Sequence, residues 1–238
     1  QGIREAERGA IYDNYSSKAQ EILTGTVLRI DPTSGDMFVR VGAGEQIPGE
    51  VYQEGDLIRV YVVDVHRSNR GPQIFVSRTH PNLVRRLFEL EVPEIHSGIV
   101  EVKSIAREAG NRTKIAVVSH DENVDPIGAC VGTRGARVAN ITGELNGEKI
   151  DVIRWSEDIT EFISAALSPA KVVKVELLPG ETKSCRVTVP DHQLSLAIGN
   201  KGQNVRLCAH LTGYNIDIRP ESCLLYTSPS PRDLSTSR

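Results

Sequence analysis

Two short stretches of the sequence share one pattern, "CVGTRGARVANI" at residues 130–141 and "AIGNKGQNVRLC" at residues 197–208. In each stretch an apolar run stops at Gly-x-x-Gly, a basic residue lies between the glycines, and apolar residues resume at helical spacing. Glycines allow a sharp turn and remove the Cβ atoms that would keep another backbone at a distance. The pattern predicts two helix–loop–helix units, each with a basic loop that a ligand can approach closely.

The sequence around both loops repeats one order of predicted elements: helix, two strands, helix, loop, helix, strand. In the first copy, apolar spacing and turn residues predict helices over residues 81–90, 126–131 and 136–145 and strands over residues 98–108, 113–119 and 149–155. In the second copy they predict a helix from Ser156, a helix over residues 192–198 capped by Asp191, a helix over residues 203–212, and strands over residues 171–178, 184–189 and 214–220. We interpret this order as an internal duplication.

The part of the chain before the repeats has a different period. Strand-like stretches at residues 22–30, 36–42, 56–67 and 72–78 are separated by Gly- and Pro-containing turns, which is typical of a small OB-type β-barrel. The prediction is an α+β multidomain fold. Its domains are the end of an N-terminal helix at 1–20, the barrel at 21–79, the two repeats at 80–155 and 156–220, and a disordered or non-native tail at 221–238.

Composition limits the possible classes of protein. The formal net charge of −3 shows no global excess of basic residues, so any nucleic-acid site must rest on local charge. The four cysteines form no C-x-x-C pair, and no apolar run reaches the length of a membrane span. We expect a cytoplasmic protein without a metal, cofactor or catalytic site, in which Cys130, Cys185 and Cys208 are small buried apolar residues.

The chemistry of the loops points to phosphate. A helix that starts after a glycine turn presents backbone N–H groups and a partial positive charge to an anion. Neither loop-to-helix stretch contains an acidic residue. A plain helix connector is the better interpretation of one isolated Gly-x-x-Gly, but two copies in equivalent places favour the KH module, whose loop clamps single-stranded RNA. The predicted RNA-binding residues are Gly132, Thr133, Arg134, Gly135, Arg137, Gly199, Asn200, Lys201, Gly202 and Arg206.

Longer segments carry a more specific resemblance. The stretches "VDPIGACVGTRGARVANITGELNGEKIDVIRWSED" and "VPDHQLSLAIGNKGQNVRLCAHLTGYNIDI" resemble the two tandem prokaryotic-type KH domains of the bacterial NusA family. The stretches "EQIPGEVY" and "GPQIFVSRTHPNLVRRLFELEVPEI" resemble the S-one-type OB barrel of that family and the start of its first KH domain. The resemblance extends over about residues 1–220.

This resemblance implies a non-enzymatic, monomeric transcription elongation factor. Members of the family contact RNA polymerase and nascent single-stranded RNA, act with further antitermination factors, and modulate pausing, termination and antitermination. Relative to the family pattern, "GAG" at residues 42–44 replaces a longer segment of the barrel. The main polymerase-binding domain is represented only by what resembles its last helix, and residues 221–238 depart from the pattern.

Two other RNA-binding classes stay open. Polynucleotide phosphorylase also joins KH and S-one modules, so the chain could be the RNA-binding appendage of an exoribonuclease, although that enzyme places its KH module before the barrel. The other class is a general ribosome-associated RNA binder. Two weaker motifs add little. Residues 119–121, "SHD", are interpreted as a polar loop, because consecutive residues cannot form a catalytic triad. Arg67 and Arg70 fit the RNA face of a barrel or a solvated turn equally well.

Overall fold

The computed structural model describes residues 12–13, 16–26, 47–66 and 73–226 of the 238-residue chain. It contains two compact units, Gln1–Val152 and Ile153–Arg238, which are described separately. Several predicted features lie outside the described residues: most of the first helix, the strand at 36–42, the "GAG" segment, Arg67, Arg70 and the tail beyond Tyr226. In the described part of the chain, no helix is long and apolar enough to cross a membrane.

The first sheet is antiparallel and has the order β1-β2-β3, formed by Ile22–Thr26, Leu57–His66 and Gln73–Ser77. Alternate residues point to one side, as the strand period requires. They form a small core of Ile58, Val60, Val62, Val65 and Val76. Three of the four predicted strands are therefore confirmed, but the described residues form an open sheet, and the closed OB-type barrel expected for residues 21–79 is not confirmed.

The first repeat follows in the same unit. Its elements are α1 (Pro81–Glu91), α2 (Pro93–His96), β4 (Val100–Glu108), β5 (Arg112–Ser119), α3 (Pro126–Val131), a 3₁₀ turn (Thr133–Gly135), α4 (Ala136–Glu144) and β6 (Lys149–Arg154). The strands form a sheet of order β4-β5-β6. The helix predicted over residues 81–90 is confirmed as α1, and its Leu83, Val84, Leu87 and Phe88 are buried in the core that also contains residues of β4 and β5.

The second repeat has the same order of elements, except that no helix corresponds to α2 and an additional 3₁₀ turn precedes the helix before the loop. Its elements are α5 (Ile159–Ala166), β7 (Lys174–Leu178), β8 (Ser184–Val189), a 3₁₀ turn (Asp191–Gln193), α6 (Leu194–Ile198), a second 3₁₀ turn (Asn200–Gly202), α7 (Gln203–Thr212) and β9 (Asn215–Pro220). β7 and β8 are antiparallel, whereas β8 and β9 are parallel. The predicted duplication is thus confirmed at the level of secondary structure.

Two details of the second repeat differ from expectation. Asp191 was predicted to cap the following helix, and this is wrong: its Oδ1 accepts the N–H of Ser222 at 3.1 Å, and the helix that begins at Leu194 has no side-chain hydrogen bond at its cap, Gln193. The same hydrogen bond connects Asp191 to Glu221–Tyr226, a short 3₁₀ segment in residues assigned to the tail. A single turn of this kind needs no periodic apolar face, so apolar spacing does not reveal it.

A buried polar network joins the first sheet to the first repeat. Arg78, 3% exposed, donates to Glu50 Oε1 at 2.5 Å, to the carbonyl of Arg59 at 2.6 Å and to that of Glu144 at 2.8 Å. Arg107 and Glu148 form a fully buried ion pair at 2.9 Å, and Arg107 also donates to the carbonyl of Arg78 at 2.7 Å. Each of these buried charges is paired and hydrogen-bonded, which offsets the cost of removing it from water. The sheet and the repeat are therefore parts of one unit.

Candidate nucleic-acid interface

The first Gly-x-x-Gly loop has an unusual backbone. Gly132 ends α3 with φ 75° and ψ 176°, Arg134 has φ 54° and ψ 27°, and Gly135 has φ 77° and ψ 13°. All three φ values are positive, a region that residues with a Cβ rarely occupy. The chain therefore reverses between α3 and α4 within four residues.

The second loop has the same conformation with different residues between its glycines. Gly199 has φ 78° and ψ 173°, Lys201 has φ 50° and ψ 30°, and Gly202 has φ 75° and ψ 15°. The corresponding angles in the two loops agree within a few degrees. The spacing of the glycines, rather than the residues between them, therefore specifies this turn.

The two glycines of each loop are required for different reasons. A Cβ on Gly132 would lie 2.7 Å from Cγ of Arg137, and a Cβ on Gly199 would lie 2.7 Å from the backbone N of Asn204. The first glycine therefore lets the following helix pack against the loop. The described part of the chain places no atom within 4 Å of a Cβ on Gly135, and the nearest atom to one on Gly202 is 3.9 Å away. The second glycine adopts a positive φ without strain and leaves open space beside the loop.

The basic residues of both loops are exposed and held in a left-handed conformation. Thr133, Arg134, Asn200 and Lys201 are all exposed. A left-handed conformation costs a residue with a Cβ on the order of 1 kcal/mol. Such strained backbone is concentrated at functional sites, where the surrounding structure holds it in place. Its occurrence at the equivalent basic position of both loops points to a functional role for Arg134 and Lys201.

The helices that follow the loops begin without a capping side chain. Gly135 and Gly202 are the N-caps of α4 and α7, and within the described residues neither cap makes a side-chain hydrogen bond. The N-termini of α1, α3 and α5, by contrast, are capped by His80, Asp125 and Asp158. The first N–H of each helix, on Ala136 and Gln203, donates to the carbonyl of Thr133 and of Asn200, and the N–H groups of the first turn together carry the partial positive charge of the helix. The start of α4 and of α7 can therefore accept an anion.

The two downstream arginines have different environments. Nη1 of Arg137 donates to Glu94 Oε2 at 2.9 Å and to the carbonyl of Ala129 at 2.7 Å. Arg206 is exposed, and its Nη1 donates to the carbonyl of Lys201 at 3.3 Å, so its guanidinium lies over the second loop. The structure thus brings Arg206 together with the predicted loop residues and directs Arg137 toward an acidic side chain.

The surroundings of the two loops also differ in charge. Although the stretch around the first loop contains no acid, the fold brings Glu94 against Arg137, 43 positions away in the sequence. Glu91 Oε2 lies 3.3 Å from Nδ2 of Asn140 on α4. These acidic neighbours of the first loop could not be identified from local sequence, because they come from the end of α1 and from α2.

Other candidate groups are not arranged for catalysis. Ser119 Oγ donates to the carbonyl of Asp121 and His120 Nε2 lies 2.9 Å from Glu101 Oε2, so the "SHD" stretch is a polar loop, as predicted. Cys130, Cys185 and Cys208 are buried, as expected. Burial raises the pKa of Cys130 to about 12 and that of Cys185 to about 11. No group of three or more His, Cys, Asp or Glu side chains suited to a metal occurs in the described ranges.

One exposed aromatic pair was not singled out from the sequence. The rings of His66 and Phe75 meet edge to face with centroids 5.2 Å apart, and Phe75 is 40% exposed. Exposed aromatic rings are surfaces on which unpaired bases can stack. The two residues come from neighbouring strands, so only the pairing of β2 with β3 brings them together.

Comparison with known proteins places the chain in a family. Residues 78–155 match the NusA-like first KH domain, and residues 159–224 match the NusA-like second KH domain. The transcription termination/antitermination protein NusA of Mycobacterium bovis is 48% identical over 93% of this chain and 68% of its own length. This chain belongs to the NusA family. The family resemblance identified from the sequence is confirmed.

Two further NusA proteins are similar over nearly the whole chain. That of Halalkalibacterium halodurans is 53% identical over 93% of the chain, and that of Bacillus subtilis is 50% identical over 98% of it. The chain spans 59% and 64% of the lengths of these two NusA proteins. The match to the second NusA-type KH domain ends at residue 224 and so includes the first residues of the stretch assigned to the tail.

Proposed function

We propose that this chain is the RNA-binding part of a NusA-type transcription factor and that its two Gly-x-x-Gly loops clamp the backbone of single-stranded nascent RNA. The observation that carries the proposal is the shared geometry of the loops. Each one exposes a basic residue in a left-handed conformation next to an uncapped helix N-terminus. KH domains bind RNA through this loop.

Each part of the clamp has a separate role. N–H groups in the first turns of α4 and α7 donate to phosphate oxygens, and the open side of Gly135 and Gly202 lets the sugar-phosphate backbone approach. Arg134 at the first loop, and Lys201 with Arg206 at the second, neutralise phosphate charge. Thr133 and Asn200 supply polar side chains at the solvent side of the loops.

Bases that extend from the clamped backbone need a surface of their own. In the second KH domain, Leu196 and Ile198 immediately precede the loop and are 46% and 37% exposed. Exposed aliphatic side chains beside a phosphate clamp suit the faces of unstacked bases. Base contacts in this domain are therefore mainly aliphatic rather than aromatic.

The remaining assignments follow from the family. The curated relatives are named transcription termination/antitermination proteins, which supports a cytoplasmic, non-enzymatic factor that acts with RNA polymerase to modulate pausing, termination and antitermination. We assign residues 21–79 to an OB-type barrel and residues 80–155 and 156–220 to the two KH domains. We also propose that the protein functions as a monomer. Arg137, predicted from the sequence as an RNA-binding residue, is not assigned an RNA contact, because its Nη1 is paired with Glu94.

The proposal is tested by charge reversal at each loop. Thr133→Asp with Arg134→Asp, and Asn200→Asp with Lys201→Asp, place like charge against the RNA backbone and should weaken binding, because phosphate contacts dominate affinity. Lys174→Asp is the control for charge reversal elsewhere on the surface, since Lys174 is exposed on β7 and lies outside both loops. Affinity is measured by fluorescence anisotropy with a mixed-sequence single-stranded RNA, and circular dichroism reports folding. Folded loop variants that bind as tightly as the Lys174→Asp control would refute the clamp.

A further inference from the structure

One position is used in the same way in both KH domains. It is the second residue of the helix that follows the loop, Arg137 in α4 and Asn204 in α7. The two residues differ in charge and size, so their shared sequence position does not by itself reveal a shared role. Their contacts, however, follow one plan, because each residue donates to a carbonyl in the helix before the loop and to a group of an earlier helical segment.

Arg137 links three elements of the first KH domain. From α4, its Nη1 donates to the carbonyl of Ala129 in α3 at 2.7 Å and to Glu94 Oε2 in α2 at 2.9 Å. Its side chain is 31% exposed and that of Glu94 is 30% exposed, so the ion pair is partly shielded from solvent. The helix after the loop is thereby tied both to the helix before the loop and to the segment that opens the domain.

Asn204 makes the corresponding links in the second KH domain without a charge. Its Nδ2 donates to the carbonyl of Ala197 in α6 at 3.0 Å and to the carbonyl of Leu167, at the end of α5, at 3.1 Å. The residue is only 4% exposed. A buried neutral amide cannot neutralise a phosphate, so the shared role of this position is not RNA contact.

The same two residues lie under the first glycine of each loop. The space that a Cβ would need at Gly132 is occupied by the Arg137 side chain, and at Gly199 by the backbone and Cβ of Asn204. Each residue therefore fixes the distance between the loop and its own helix. The conformation that exposes Arg134 and Lys201 depends on that distance.

We propose that Arg137 and Asn204 are positioning residues, which hold the two Gly-x-x-Gly loops in their RNA-binding conformation but do not contact RNA. The inference rests on the proposed clamp function. It makes a prediction that separates positioning from contact, because the salt dependence of binding counts phosphate contacts. Loss of a contact lowers that dependence, whereas loss of positioning lowers affinity and leaves the dependence unchanged.

The first experiment measures the affinity of a mixed-sequence single-stranded RNA at several salt concentrations for the parent, Arg134→Gln and Arg137→Gln. Arg134→Gln should reduce the log–log salt slope by about 0.7, the value for one phosphate on a single strand. Arg137→Gln should weaken binding about two- to tenfold, the range that one net hydrogen bond corresponds to, with the slope of the parent. A reduced slope for Arg137→Gln, or an unchanged affinity, would overturn the inference.

The second experiment changes the partner of Arg137. Glu94→Gln removes the ion pair and should weaken binding relative to Glu91→Gln, a matched variant that removes a neighbouring carboxylate without touching Arg137. If Arg137 instead binds phosphate, Glu94→Gln releases it and binding becomes as tight as in Glu91→Gln, or tighter. This comparison does not depend on whether Arg137→Gln folds.

In the second domain, Asn204→Ala should lower affinity with an unchanged salt slope. If circular dichroism shows that Asn204→Ala does not fold, the same measurement is made with Asn204→Ser, which keeps one hydroxyl donor. An unchanged affinity or a reduced slope in the folded variant contradicts the role of Asn204. The clamp itself fails separately, if Arg134→Gln keeps the affinity and slope of the parent.

Discussion

Substituting each loop glycine by alanine should produce two distinct classes of destabilisation. Alanine at Gly135 or Gly202 must adopt a φ of 77° or 75°, which costs about 1–2 kcal/mol, but the added methyl group enters open space. Alanine at Gly132 or Gly199 must combine a φ of 75° or 78° with a ψ of 176° or 173°, a region essentially restricted to glycine, and it also meets a clash at 2.7 Å. Overpacking of this kind adds about 1–3 kcal/mol.

The two clashes are not equivalent either. At Gly132 the obstructing atoms belong to the side chain of Arg137, which can shift, whereas at Gly199 the nearest atom is the backbone N of Asn204. A backbone atom moves only if the start of α7 moves with it. We therefore expect Gly199→Ala to be the most destabilising variant, Gly132→Ala intermediate, and Gly135→Ala and Gly202→Ala the mildest.

Native-state hydrogen exchange is the suitable assay, because it reports the opening free energy of each region separately in a chain of two units. Amides of the core strands of each KH domain give its stability in the parent and in the variant. The matched pair within the second domain, Gly199→Ala against Gly202→Ala, removes differences between domains. Equal loss of protection in that pair would refute the assignment of separate roles to the two glycines.

Two further predictions concern titratable groups. Burial raises the pKa of Cys130 to about 12 and that of Cys185 to about 11, so iodoacetamide at neutral pH should label the native protein first at the exposed Cys223. Mass spectrometry of the labelled peptides measures the order of labelling. Faster labelling of Cys130 would contradict its burial. Burial raises the pKa of Asp151, but the hydrogen bond from Arg112 and the charge of Lys114 outweigh it and hold that pKa below its usual value. The stabilisation from Asp151 is therefore present above its unfolded pKa and is lost as pH falls through its folded pKa. The free energy of unfolding of Asp151→Asn, measured by denaturant titration at several acidic pH values, should depend less on pH than that of the parent. Equal pH dependence would show that the ion pairs are not formed.

Local features of the fold could be derived from the sequence because they depend on neighbours in the chain. The apolar face of Pro81–Glu91 follows from the helical period, and the helix Pro126–Val131 is bounded by Asp125 and Gly132. The Gly-x-x-Gly turns belong to the same class, since the positive φ of their glycines is set within four residues. This is why the two loops could be located, and their basic residues named, without a structure.

The contacts that define how the site works could not be derived in this way. Arg137 meets Glu94 across 43 positions, and His66 meets Phe75 only because β2 pairs with β3. Asp191 has the residue type of a helix cap, yet its carboxylate accepts a hydrogen bond from the distant backbone N–H of Ser222. The sequence by itself determined the repeated turn and its exposed charges, because backbone sterics and apolar period act locally. Tertiary structure alone decided that Arg137 pairs with Glu94 whereas Arg206 lies over its own loop, because those contacts depend on which groups other elements bring within reach.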